Sequence, residues 1–197
     1  MAKRLYSLLL LFFVALVSAQ VPGEKFTYKP LGWTIELPKG YSLISEEEGQ
    51  RVQDKGVKMI EATYDTDLED VLEPTTTLFM LKNGPTNYME ANLQAFDPAK
   101  DGDFNEVNRE VSGIILQTFK DQMPKAAKVE MSVSNEVVGG KKFFVAHYII
   151  MLPGSIKLDM FMYSRLFAKK NLTINIMYLD NEQGKILMNS LRSSVFK

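Results

Sequence analysis

The stretch from 129 to 179, VEMSVSNEVVGGKKFFVAHYIIMLPGSIKLDMFMYSRLFAKKNLTINIMYL, decides the fold. Its β-branched and aromatic residues fall into four runs, 129–138, 142–152, 156–167 and 172–179. Gly139-Gly140, Pro153-Gly154 and Ala168-Lys169-Lys170 separate them. A parallel return needs a crossover of about a dozen residues or more, so strands joined this tightly are antiparallel. The last third of the chain is therefore a four-stranded antiparallel meander.

Working outward, Asp180 with Gln183 caps a closing helix that runs through Leu191. Upstream, Phe104, Val107, Val111, Ile114, Ile115 and Phe119 recur at steps of three and four, the spacing of one helix face. Asn105, Asn108, Arg109, Ser112 and Lys120 fall on the other side, Asp103 and Glu106 supply the cap, and Pro124 marks the stop. Residues 75–81 and 88–96 read as two strands around Asn83-Gly84-Pro85. Ser45 and Glu48 have capping-box spacing before a helix over 46–62, with Val52, Met59, Ile60 and Thr63 near one face. Short strands at 25–29 and 32–37 open the domain. The order ββ-α-ββ-α-ββββ-α predicts an α+β protein, an α/β/α sandwich with a large, mainly antiparallel sheet.

The N-terminus carries an address. Lys3 and Arg4 precede an apolar run from Leu8 to Val17, and Val17-Ser18-Ala19 offers the small residues a signal peptidase needs. Ten residues rise about 15 Å as a helix, roughly half of a bilayer core, which is too short for a stable anchor. Residues 1–19 are expected to be a cleaved signal peptide and 20–197 a single secreted or periplasmic domain without a membrane anchor. The chain has no cysteine, which excludes disulfides, thiolate metal sites, cysteine nucleophiles and a lipid-modified N-terminal cysteine. It carries 23 basic and 24 acidic residues and, without Lys3 and Arg4, a net charge of −3. Nucleic acid is excluded as a partner, because phosphate binding needs a basic surface.

Gly32-Trp33-Thr34-Ile35-Glu36-Leu37-Pro38-Lys39-Gly40-Tyr41 is similar to the opening of the PsbP-like family: an aromatic, a strand, Leu-Pro, a turn and a second aromatic. Val138-Gly139-Gly140-Lys141-Lys142-Phe143, the meander and a closing helix leading to Ser193-Ser194-Val195-Phe196 fit its second half. The fold is shared with the small Ran-binding nuclear import factor. Plant members of the family are extrinsic subunits of the water-oxidising photosystem, and the import factor binds a small GTPase. The resemblance implies this fold and a binding or assembly role in place of catalysis, and it transfers no functional residue.

Candidate chemistry is sparse. The lone His147 shares a strand face with Phe143, Val145, Ile149 and Met151, which predicts a structural residue hydrogen-bonded within the sheet. Asp97 to Asp103 has Asp at the first, fifth and seventh positions of a calcium loop and Gly at the sixth, yet fails at Ala99 and Asn108. No cofactor is expected. The acidic stretch with Asp65, Asp67, Glu69, Asp70 and Glu73 reads as a solvated loop whose functional alternative is docking of a basic protein. The methionines, among them Met80, Met151, Met160, Met162 and Met177 on strands, read as core filling rather than a copper(I) site. Trp33, with Tyr28 and Tyr41, reads as a core anchor rather than a ligand pocket. Asn171-Leu172-Thr173 matches the glycosylation pattern but begins a strand.

The function these residues support is non-enzymatic binding of an envelope protein partner, with the acidic loop as the contact. Its rival is a small apolar-ligand carrier with a pocket between the sheet and the helix at 103–123. A third alternative is a carboxylate-based hydrolase.

Overall fold

Alternation of apolar side chains in the meander produces the central sheet seen in the computed structural model, which describes residues 11–12, 24–68 and 74–197. Strands β7 (Lys128–Val138), β8 (Lys141–Leu152), β9 (Ile156–Phe167) and β10 (Lys170–Tyr178) pair consecutively and antiparallel. The hairpin of β5 (Pro74–Asn83) and β6 (Asn87–Ala95) joins at β10. The sheet thus runs β5-β6-β10-β9-β8-β7, with β4 (Ser42–Leu43) antiparallel beside β5 and the two-residue β1 (Leu11–Phe12) parallel beside it. Apart from Leu11 and Phe12, the expected signal peptide lies outside the described residues.

The opening strands depart from expectation. β2 (Lys25–Tyr28) and β3 (Trp33–Glu36) form a separate three-stranded sheet with β11 (Val195–Phe196) instead of extending the large one. This small sheet and α4 (Asn181–Arg192) together cover one face of the large sheet. The reason is aromatic packing. Trp33 is fully buried, stacks on Phe196 with ring planes 6° apart, and its indole Nε1 donates to Ser194 Oγ at 3.1 Å. The chain's end is thereby fastened to its beginning, and Trp33 is the core anchor its sequence context predicted. Gly139 completes the joint, since a Cβ there would lie 2.5 Å from the Ser194 carbonyl oxygen.

Helices α1 (Glu46–Tyr64) and α3 (Phe104–Gln122) cover the opposite face. Ser45 caps α1 by accepting from the Glu48 N–H, but Glu48's own carboxylate turns to Lys82, 2.5 Å away, leaving the capping box half formed. The buried face of α1 is Gly49, Gln53 and Ile60; Val52 is 47% exposed, contrary to the face expected for it. Gly49 permits close approach to β5, because a Cβ there would meet Met80 Sδ at 2.7 Å.

Helix α3 buries Val107, Val111 and Ile114 as its spacing predicts, yet Asn108 and Ser112, expected on its outer side, are also buried. Both are satisfied locally. Asn108 Nδ2 donates to the Phe104 carbonyl, Ser112 Oγ donates to the Asn108 carbonyl, and the Tyr148 hydroxyl donates to the Ser112 carbonyl. Ile114 packs against Ile60 and Leu68 on the α1 side, while Ile115 and Phe119 lean on Phe144, Ala146, Tyr148 and Met162 of the sheet. The helices therefore stand as an arch, α1 resting on β5 through Gly49 and Met80, α3 resting on β7 and β8, and the two touching at Ile60 and Ile114.

Ile114→Ala should remove the contact that closes this arch and lower unfolding stability by about 2–5 kcal/mol. Chemical denaturation measures it; an unchanged midpoint would show that the two helices do not depend on this contact.

Candidate functional site

Beneath the arch the large sheet presents polar side chains to the interior. Because strand residues alternate between faces, Met89, Ala91 and Leu93 of β6 and Leu172, Ile174 and Ile176 of β10 all enter the core on the small-sheet side. Their neighbours, Tyr88, Glu90, Asn92 and Gln94 on β6 and Asn171, Thr173 and Asn175 on β10, face the helices. Register then aligns them into cross-strand rows: Thr75, Gln94 and Asn171; Thr77, Asn92 and Thr173, with Ser164 beyond; Glu90 and Asn175, with Met162 beyond. Glu90, Asn92, Gln94, Asn171 and Ser164 are all more than nine-tenths buried.

Neither helix fills the space above these rows, and a cavity of about 730 Å³ remains. Its floor is the polar grid; its walls are apolar, with Val52, Met59 and Ile60 from α1, Val111, Ile115 and Phe119 from α3, and Met160 and Met162 from β9. Methionine thioethers are flexible and polarizable, so such a wall adapts to the shape of what it touches. The half-exposed Lys82–Glu48 ion pair and exposed Val52 mark the side open to solvent. The volume and the mixture of apolar wall with a few converging polar groups are those of a small-molecule site.

Glu90 is the one carboxyl within the floor. Burial holds its pKa above the ordinary carboxylate range, and hydrogen bonds from Tyr88 and Asn175 offset part of that rise. The Tyr88 hydroxyl donates to Glu90 Oε2, and Asn175 Nδ2 donates to Oε1 at 2.6 Å. Tyr88 itself is driven strongly upward, first by burial and then by the charge of Glu90. Around this group, Gln53 Oε1, Thr75 Oγ1, Asn92 Oδ1, Ser164 Oγ and Asn171 Oδ1, and the amide Nδ2 of Asn92, are buried without a protein hydrogen-bond partner. Such orphaned oxygens cost about 1–3 kcal/mol each unless something donates to them.

The residues singled out from sequence lie elsewhere. Asp65 closes α1 in a left-handed conformation with φ of 46°, and beyond Asp67 the chain turns inward to bury Leu68, whose N–H donates to Glu61 Oε1. Glu69, Asp70 and Glu73 lie outside the described residues. His147 faces away from the cavity, stacks on Phe161 with centroids 3.9 Å apart, and places Nε2 2.7 Å from Asp159 Oδ1, the hydrogen bond within the sheet that its position predicted. Lys157 holds the other Asp159 oxygen at 2.9 Å. In the calcium-like segment, Asp97 caps the short helix α2 (Pro98–Asp101) and pairs with Lys169, Asp101 accepts from the Asp97 N–H, and Asp103 caps α3. Among the described residues, no group of three or more His, Asp or Glu side chains gathers as a metal site would. Asn171, the glycosylation candidate, is 3% exposed and belongs to the cavity floor.

No family model matches this chain, and no characterised protein matches it in sequence. Its three-dimensional structure is similar to the solution structure of cyanobacterial PsbP (CyanoP) from Synechocystis sp. PCC 6803, with a TM-score of 0.55 and 8% identity, over 93% of this chain and 98% of that one. The fold is therefore PsbP-like, a large antiparallel sheet layered with helices, as the opening signature and the meander implied.

Glu90 makes stability depend on pH in a definite direction. Its folded-state pKa is raised, so its contribution is fully present below the unfolded-state value and is lost as pH rises through the folded-state one. Glu90→Gln has no such titration. The melting temperature of the variant relative to wild type should climb from acid to neutral pH, by about 2–4 °C for each kcal/mol at this chain size. A difference that stays constant with pH would mean that burial does not raise the Glu90 pKa.

Proposed function

We propose that this is a secreted or periplasmic, non-catalytic protein that holds a small amphiphilic molecule between its sheet and helices α1 and α3. One observation carries this reading: a cavity of about 730 Å³ whose buried polar floor is left partly without hydrogen-bond partners beneath an apolar roof. A sheet face meant only to pack against helices would be apolar, as the opposite face of the same strands is. A ligand with an apolar body and a polar end matches both surfaces.

Two other functions fit less of the molecule. Hydrolysis by carboxylates calls for a pair of them in one cleft, whereas Glu90 is bonded to Tyr88 and Asn175, and Glu48, the other carboxylate lining the cavity, is paired with Lys82. Docking of a protein at the acidic segment calls for an apolar patch beside it. Of the large exposed apolar residues described, only Tyr64 adjoins Asp65 and Asp67 in sequence.

Thr173 sits mid-floor, and Thr173→Trp would place an indole inside the cavity. A neutral naphthyl fluorophore added to the purified wild-type protein should show saturable enhancement that dodecanol displaces. In the variant its affinity should fall about tenfold or more, the equivalent of 1.4 kcal/mol, while near-ultraviolet circular dichroism shows retained packing. Equal binding by both proteins would place the ligand elsewhere, and no binding by wild type would contradict the function.

A further inference from the structure

Accepting the cavity as a ligand site, we propose that the ligand's polar end is a cationic amine, seated on Glu90, with its alkyl or aromatic body along α3 and β9. The argument is one of charge and donor balance. Among the described residues Glu90 is the only acidic side chain on the cavity's β-sheet floor, it is 6% exposed, and its two oxygens accept from Tyr88 and Asn175. The one cationic side chain lining the cavity among the described residues, Lys82, already holds Glu48 at 2.5 Å. A carboxylate ligand would therefore face a buried carboxyl with no cation available to it. An ammonium group would find a carboxyl to pair with.

The orphaned floor atoms point the same way. Asn92 Oδ1, Ser164 Oγ and Asn171 Oδ1 lack partners and are able to accept a hydrogen bond, against one orphaned amide donor, Asn92 Nδ2. An ammonium group brings three donors and no acceptor, and so supplies what the three orphaned oxygens need. Burying it is costly when unpaired, but a carboxylate partner with further hydrogen bonds offsets that cost. The pair places the ammonium against a carboxylate whose two oxygens already accept from Tyr88 and Asn175, so the buried charges are matched and hydrogen-bonded. Among the described groups near Glu90, Tyr88 is its titratable hydrogen-bond partner on β6; α1 and β5 contribute the Glu48–Lys82 pair, β10 contributes Asn175 and Thr173, and α3 faces the cavity with Asn108, Thr118 and apolar residues. None of these supplies a cation free to replace the amine.

The test compares three twelve-carbon probes below their micellar concentrations, dodecylamine, dodecanol and dodecanoate, as competitors of the naphthyl fluorophore at mildly acidic to neutral pH. Dodecylamine should bind wild type at least about tenfold more tightly than dodecanol, and dodecanoate most weakly. Glu90→Gln, which keeps the shape and removes the charge, should bind dodecylamine and dodecanol alike. Equal binding of the three head groups, a preference for dodecanoate, or an amine preference that survives Glu90→Gln overturns this proposal and leaves the cavity a ligand site. The head-group ranking in wild type decides alone if the variant does not fold. Failure of all three probes to displace the fluorophore counts against the ligand function itself.

Discussion

Two-residue alternation along the central antiparallel pair β6 and β10 constrains the rest of this molecule. On one side it sends an uninterrupted apolar row, from Met89 to Leu93 and from Leu172 to Ile176, into contact with Trp33, Phe26 and α4. On the other it sends amides, two hydroxyls and a carboxyl. A one-residue slip would exchange the two faces and place Glu90 and Asn92 among the aromatic rings, so the register is fixed by the cost of that exchange. Once it is fixed, whatever covers the second face must tolerate a polar surface. Helices α1 and α3 do so by resting on the flanking strands and leaving the middle open.

That arrangement sacrifices stability. Filling the cavity with apolar side chains and replacing the floor by valine and leucine would remove several buried polar atoms that lack partners, each of them destabilising. Strained or unsatisfied groups tend to gather where a protein binds or reacts. Here they gather around a single carboxyl whose pKa burial has raised. The opposite face concedes less: Tyr41 Oη and Gln183 Oε1 lack partners, but Trp33, Ile35, Tyr163, Leu172, Ile174, Leu187 and Leu191 are fully buried there, and His147, the residue with the most obvious chemistry in the sequence, is tied down by Asp159 and Phe161.

Much of the fold was legible in the sequence because it rests on short-range signals. Tight turns at Gly139-Gly140 and Pro153-Gly154 dictate antiparallel pairing, and the Asp103 cap with its three- and four-residue spacing dictates α3. The separate small sheet was not legible, since it depends on Trp33 meeting Phe196 across nearly the whole chain. The cavity floor was hidden for another reason: alternation reports that one face differs from the other, and polar residues on a strand read by default as solvent-facing. The residue types held a clue. A solvated face favours Lys and Glu, whereas Asn92, Gln94, Asn171 and Asn175 are amides, which bury more readily because they carry no charge and pair across strands. Asn108 and Ser112 on α3 were misplaced for a related reason, since hydrogen bonds back to their own helix let polar side chains be buried.

The most direct measurement is methyl nuclear magnetic resonance on protein labelled at its methionines, with an alkyl ligand titrated in. Met59, Met160, Met162 and Met177 line the cavity, whereas Met89 and Met188 belong to the core on the opposite face. The account predicts shifted resonances and ligand-to-methyl Overhauser contacts at the first four, with Met89 and Met188 unmoved. Perturbation confined to Met89 and Met188, or no perturbation at any methionine under saturating ligand, would contradict it.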